Sequence, residues 1–332
     1  MRRLSVSAVA SILLVGHSGF AQRANLTPGP RSQPILLYDD RERRVLLFDG
    51  AYPSSPGAQR GLTELWTWTG TEWLALPDTG PTARYASAAA FDSRRGRIVS
   101  FSGRVGREER ITPDTGEWNG SYWSQMSDTS AGARDHHSMI FDAARGNTVM
   151  FGGGVYPRRP GPWPTDTWTW DGNEWKLAAA SGPTGRAVTS LVYDSRRKQV
   201  VMFGGVGAPE GTDRRQPSFG DTWLWEGSAW RLASSEGPEP RNRHAMAFDA
   251  RAGLTLLYGG SVGRRQFADM WKWDGQRWTE IRLTSETPGP RELHSMVYDA
   301  ARDRTILYGG NSAGKVLDDT WEWDGTRWRR MN

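Results

Sequence analysis

The sequence predicts an all-β fold, a six-bladed β-propeller with four antiparallel strands in each blade. Three observations carry that prediction. An ending of the form Trp-x-Trp-x-Gly-x-x-Trp, or a near copy, recurs six times. A paired-glycine position recurs at intervals of 50 to 55 residues. The runs before each pair are apolar with little alternation. A period near fifty marks a radial or stacked repeat.

The endings begin at Trp66, Thr115, Trp168, Trp223, Trp271 and Trp321, and they hold 17 of the 18 tryptophans. Only Trp163 lies outside them, and the second ending has Gly116 where the others have their first Trp. The paired-glycine position falls at Asp49-Gly50, Ser102-Gly103, Gly152-Gly153, Gly204-Gly205, Gly259-Gly260 and Gly309-Gly310. In the fifth unit the pattern predicts strands over 244–248, 254–258, 270–273 and around Trp278. Asp274-Gly275 is read as the hairpin between the last two, because Gly accepts a positive φ. Strands apolar on both sides need a neighbour on each face, and a ring of sheets supplies one while protecting the edges. A linear stack would need polar caps, yet the first and last units resemble the rest. The expected blades are 28–77, 81–127, 131–178, 183–233, 238–283 and 288–331. Blades one and six are expected to close the ring by face-to-face packing, without strand exchange.

The first 21 residues read as a secretory signal peptide: Arg2 and Arg3, an apolar run from Leu4 to Val15, then small residues before Gln22. The rest, 22–332, reads as one domain, exported to the periplasm or the cell exterior. No later stretch is long and apolar enough for a transmembrane helix. The chain of 332 residues has no cysteine, which excludes disulfides, a thiolate nucleophile and thiolate metal sites. Its net charge is +5, or +3 without the leader, and no Lys/Arg block is present to track phosphates. Nucleic acid is therefore not an expected partner, and a monomer is expected.

An Arg-led first strand, a second strand ending in Gly-Gly and a later Tyr/Trp pair resemble the kelch repeat, and all six units match over residues 30–330. The YD-x-x-R, FGG and DTW-x-WDG segments are similar to those of bacterial exported kelch-type proteins in the galactose oxidase central-domain superfamily. Asp49 and Ser102 depart from the Gly-Gly pattern. Sialidase-type Asp boxes are absent, and no Gly-His opens a unit as in WD repeats. The resemblance implies that the face carrying the Gly-Gly ends and their loops is the binding surface. Its enzymatic relatives include a copper oxidase of sugars, whose Cys–Tyr cross-link this chain cannot make, and a sialic acid epimerase.

Arg31, Arg84, Arg134, Arg186, Arg241 and Arg291 share one position on that face. They can hold carboxylates bidentately. The stronger reading is structural ion pairs with the acids that recur in register, Glu64, Asp114, Asp166, Asp221, Asp269 and Asp319, since one asymmetric ligand site has no reason to repeat six times. His137, His244 and His294 share another position. They read as polar caps of the first strand, since a three-His zinc site would have to span the channel. A unique ligand needs unique residues, which points to the loop from Gly154 to Asp166. There Tyr156, Arg158, Arg159 and Trp163 can stack a sugar or clasp a peptide. Together with Arg134, Arg186, Arg241 and Arg291 they form the expected binding set. No nucleophile–base or carboxylate pair has the spacing of a catalytic motif, and no metal or cofactor is expected. The resulting expectation is an exported, non-enzymatic module that recognises protein or glycan. A sugar-active enzyme such as an epimerase and a structural envelope component are the alternatives.

Overall fold

Valine, isoleucine, leucine, methionine and phenylalanine crowd the second strand of every unit, and such residues favour a pleated surface covered on both faces. The computed structural model, which describes residues 27–55, 58–77, 83–106, 110–155, 162–209 and 216–332, forms a strand at each run. These are Arg44–Phe48, Arg97–Phe101, Asn147–Phe151, Gln199–Phe203, Leu254–Tyr258 and Arg304–Tyr308, and in all six only the first residue is not fully buried. The signal peptide expected over 1–21 lies outside the described residues.

Each of these strands is the second of a four-stranded antiparallel sheet drawn from one continuous segment. Among the described residues there are six such sheets, six smaller ribbons of two or three strands, and no helix. In the fifth unit the strands are Ala245–Asp249, Leu254–Tyr258, Met270–Trp273 and Trp278–Ile281, within a residue of the expected positions. The hairpin differs from expectation. Trp273 pairs with Trp278, so the connection is four residues long, and the Asp274 carboxylate accepts the backbone N–H groups of Gln276 and Arg277. Asp-Gly here starts an Asx-capped turn.

The first strands of the six sheets stand side by side in a closed cycle, with the first sheet between the second and the last. They line a central channel of about 470 Å³. The core divides into six main apolar clusters, one in each cleft between adjacent sheets. The cleft between last and first, with Leu47, Trp66, Trp68, Ile306 and Tyr308, is filled like the others.

The fourth-strand indole crosses each cleft. Trp73, Trp175, Trp230 and Trp278 donate to Thr320, Thr115, Thr167 and Thr222 of the preceding sheet at 2.8–2.9 Å. Where that sheet offers Leu65 or Met270 instead of Thr, the indoles of Trp123 and Trp328 are buried without a partner. A buried N–H left unpaired costs about 1–3 kcal/mol. The repeated tryptophan thus has a polar role only where the neighbouring unit supplies the acceptor.

The strand turns on the face opposite the paired glycines are also built by repetition. Asp142, Asp194 and Asp299 cap the turns that follow the first strands, and each also binds the arginine three residues on. Those arginines, Arg145, Arg197 and Arg302, then donate to the carbonyls of Glu226, Asp274 and Thr69 in the hairpin of the next sheet.

Candidate functional site

The loop-bearing face begins with the arginine ring. Each arginine lies four residues before a first strand and donates Nη1–H to the carbonyl eighteen residues on, from Asp49, Ser102, Gly152, Gly204, Gly259 or Gly309. Each also pairs with its own acid: Arg84 with Asp114, Arg134 with Asp166, Arg186 with Asp221, Arg241 with Asp269 and Arg291 with Asp319 at 2.6–3.1 Å, and Arg31 with exposed Glu64 at 3.5 Å. Of the five acids two residues before a first ending tryptophan, Asp166, Asp221, Asp269 and Asp319 accept that indole N–H as well, whereas the Trp66 indole beyond Glu64 is buried without a partner. Burial pushes these four aspartate carboxyls up, but the arginine bond and charge outweigh it and hold them below the usual range.

Arg134, Arg186, Arg241 and Arg291 are therefore buried, at no more than 4% exposure, with both terminal nitrogens of each bound by protein; only the Nε of Arg134 lacks a partner. They tie the second strand, the start of the third strand and the loop between them. Of the expected loop residues, Tyr156, Arg158 and Arg159 lie outside the described residues. Trp163 is half-buried, and a Cβ on Gly185 would lie 2.1 Å from its carbonyl oxygen. That close approach seats the third loop against the fourth unit.

The axis of this face is surrounded by backbone. Gln33, Ala86, His136, Val188, Arg243 and Leu293 occupy equivalent positions, and all have φ between 46° and 58°. Their amides run around the axis: His136 N–H to Ala86 C=O, Val188 to His136, Arg243 to Val188, Leu293 to Arg243 and Gln33 to Leu293, at 2.8–3.0 Å. A left-handed conformation is costly for residues with a Cβ, and here five hydrogen bonds, which link every neighbouring pair but Ala86 and Gln33, offset it. Channel lining starts one residue further on, at Pro34, Ser87, His137, Thr189, His244 and His294, so the ring forms a neck above the channel.

The neck carries residues that no other unit repeats. Asp135 accepts from Arg104 Nε–H at 2.6 Å and faces Arg104 Nη2 at the same distance, while its second oxygen lies 3.4 Å from His136 Nδ1. Burial raises the Asp135 carboxyl, but His136 and Arg104 together hold it at about 2. It stays ionised, with the His136 imidazole beside it. A Cβ on Gly154, paired with Asp135, would come within 2.8 Å of Asp135 Oδ1, so glycine makes room for the carboxylate. Two units further round, Arg243 lies 3.6 Å from Glu292, which also accepts from the Ser261 hydroxyl.

His137, His244 and His294 belong to the packing. Each ring meets an aromatic of the preceding sheet edge-on (Phe101, Phe203 and Tyr258) at 5.4–5.9 Å. Burial, then the adjacent arginine, pulls His137 and His244 down to about 3 and His294 well below its ordinary value. No cluster of three metal-ligating side chains occurs among the described residues.

Sequence reasoning passed over Asp135, His136, Arg104, Arg243 and Glu292 because it followed the repeated histidines and arginines. The available signal was irregularity. The two residues after each leading arginine read Ser-Gln, Tyr-Ala, Asp-His, Ala-Val, Asn-Arg and Glu-Leu, which is the most variable pair in an otherwise regular strand start.

No curated protein matches the sequence. Among solved structures the chain is similar to that of YjhT, with a TM-score of 0.69 over 92% of this chain and 99% of that one, at 14% identity. At that identity the likeness is one of fold. Residues 146–332, more than half of the chain, match the family described as the KLHDC2/KLHL20/DRC7 Kelch-repeats domain. Paired glycines, an arginine-led first strand and tryptophan-rich outer strands, set in antiparallel four-stranded sheets, place this chain in the kelch-repeat β-propeller family.

Proposed function

We propose that this protein is an exported recognition module that binds a protein or glycan ligand on its loop-bearing face. The six four-stranded sheets are its six blades, and the smaller ribbons are loops of that face. One observation carries the reading. The repeated polar residues are engaged inside the protein, whereas unrepeated ones that keep some exposure, Arg104, His136, Arg243 and Glu292, gather around the axis of one face with the buried Asp135 behind them. Kelch propellers typically serve as interaction scaffolds, which supports the reading at the level of the family.

The test is a screen of residues 22–332 against glycan arrays and envelope-protein extracts, with two charge-reversal variants. Arg265→Glu alters the loop-bearing face, and Arg251→Glu alters the opposite one. Binding weakened only by the first supports the proposal. Binding weakened only by the second, or no binding, contradicts it.

A sugar-active enzyme is the second reading. It is favoured by the placement of His136, whose Nδ1 lies 3.4 Å from the Asp135 carboxylate, a pairing of the kind that serves general-base chemistry. Sugar turnover that His136→Gln abolishes would establish it.

A further inference from the structure

From the chemistry of the neck we infer that the ligand's contacting group is a neutral saccharide unit, bound across the unrepeated residues from His136 to Glu292. The inference rests on the recognition reading above and narrows it.

Charge is the first argument. Arg104 is neutralised by Asp135 and Arg243 by Glu292, so neither sign predominates. An anion would meet carboxylates, and a cation would meet guanidinium groups already paired. Desolvating a charged ligand with no net countercharge is unfavourable, whereas a neutral polar ligand avoids that cost.

Hydrogen-bonding inventory is the second. Carboxylates only accept, guanidinium groups only donate, and the imidazole nitrogen of His136 not facing Asp135 does one or the other according to protonation. A hydroxyl does both, so a ligand bearing several adjacent hydroxyls can answer a site that presents acceptors and donors as acid–arginine pairs. Apolar contact at the neck is limited to the half-buried Val188 and Leu293, since Ala86 is buried and the exposed aliphatic side chains Leu74, Leu177 and Leu232 lie on fourth strands, away from the axis.

Span is the third. His136 and Arg243 are separated only by Val188 in the hydrogen-bonded ring. Backbones joined this way sit about 4.8 Å apart, so a six-membered ring puts these two residues roughly 8 Å apart. That distance suits one sugar residue and is short for a folded protein epitope. Tyr52, 46% exposed, stands on the same face beside Ala51, whose backbone bonds Ser32 next to the ring. It offers an aromatic plane of the kind that stacks on a sugar ring.

The experiment is an NMR titration of residues 22–332 with neutral monosaccharides and disaccharides, and in parallel with uronic and sialic acids, following the His136 imidazole resonances. The inference predicts saturable binding of a neutral sugar that shifts His136, weakened at least tenfold by Asp135→Asn and by Arg243→Ala. Arg243 is 38% exposed, so its variant tests the site without disturbing the core. Preference for the acidic sugars, or neutral-sugar binding that neither variant weakens, overturns the assignment. So does a preparation that binds no sugar yet retains an envelope protein through its loop-bearing face, and there the recognition reading survives. Absence of any ligand on that face defeats both.

Discussion

The indole of Trp73, in the first sheet, donates to the hydroxyl of Thr320, in the last, at 2.9 Å. Trp278 makes the same bond to Thr222 inside the ring at 2.8 Å. The seam is therefore one interface among equals. Thr320→Val and Thr222→Val should each cost about 1–3 kcal/mol, the penalty of a stranded buried donor. Urea unfolding of both variants checks this, and a markedly larger loss for Thr320→Val would show that the seam bears more than its share.

Met270 stands where four other units place threonine, and Trp328 is left unpaired beside it. Met270→Thr should fall within about 1 kcal/mol of the parent, because a new hydrogen bond offsets the lost apolar burial. Met150→Thr, equally buried but among indoles (Trp168, Trp170 and Trp175) that already have acceptors, should cost about 2 kcal/mol or more. Thermal unfolding of the pair reads the difference.

Gly275 and Gly325 have the same turn conformation, with φ of 99° and 95°. A Cβ on Gly275 would meet Arg197 at 2.2 Å, whereas a Cβ on Gly325 meets nothing within 4 Å. The contrast follows from the preceding unit, which supplies Arg197 in one case and Ala252 in the other. Gly325→Ala should cost only the backbone penalty, about 1–2 kcal/mol. Gly275→Ala should cost that plus the displacement of Arg197. Equal losses would mean that the arginine contributes nothing at the turn.

Acid should unfold the protein early. The folded-state values of His137 and His244, about 3, lie below the ordinary 6.5, so the unfolded chain takes up protons first as pH falls. Stability is full above about pH 6.5 and declines toward pH 3. Each histidine accounts for roughly 4–5 kcal/mol, against a total of about 5–15 kcal/mol for a typical domain. Replacing His137, His244 and His294 with Thr, the residue at Thr189, should move the acid midpoint to lower pH. An unchanged midpoint would remove these rings from the account.

Asp49 should act in the opposite sense. Burial raises its carboxyl to about 7 despite the Ser87 hydroxyl, the Gly50 N–H and the nearby Arg84 and Arg31. A folded value above the ordinary 3.8 means that its contribution is present at low pH and lost as pH rises toward 7. Asp49→Ser, which copies the choice of the second unit at Ser102, should raise stability at pH 8 relative to pH 5. A parallel shift at both pH values would contradict this.

Much of the fold is legible in the sequence because a repeat exposes itself. Gly259-Gly260 with Trp271, Trp273 and Trp278 suffices to position the strands of the fifth unit. The partners across each cleft are not legible, since Trp278 finds Thr222 in another unit and nothing local links the two. The hairpin at Asp274 escapes sequence reasoning because the Asx cap depends on side-chain geometry that Asp-Gly only permits. Of the candidate site, the ion pairing of Arg241 with Asp269 can be read from register. The pairing of Arg104 with Asp135 cannot, because it occurs once and joins two units.

The most direct test of recognition by the loop-bearing face is hydrogen exchange on residues 22–332, with and without the tightest ligand from the screens. Protection concentrated at 31–34, 134–137, 242–244, 261–267 and 311–317 is the predicted result. Protection concentrated instead at the turns of the opposite face, such as 143–146 and 274–277, would contradict the account.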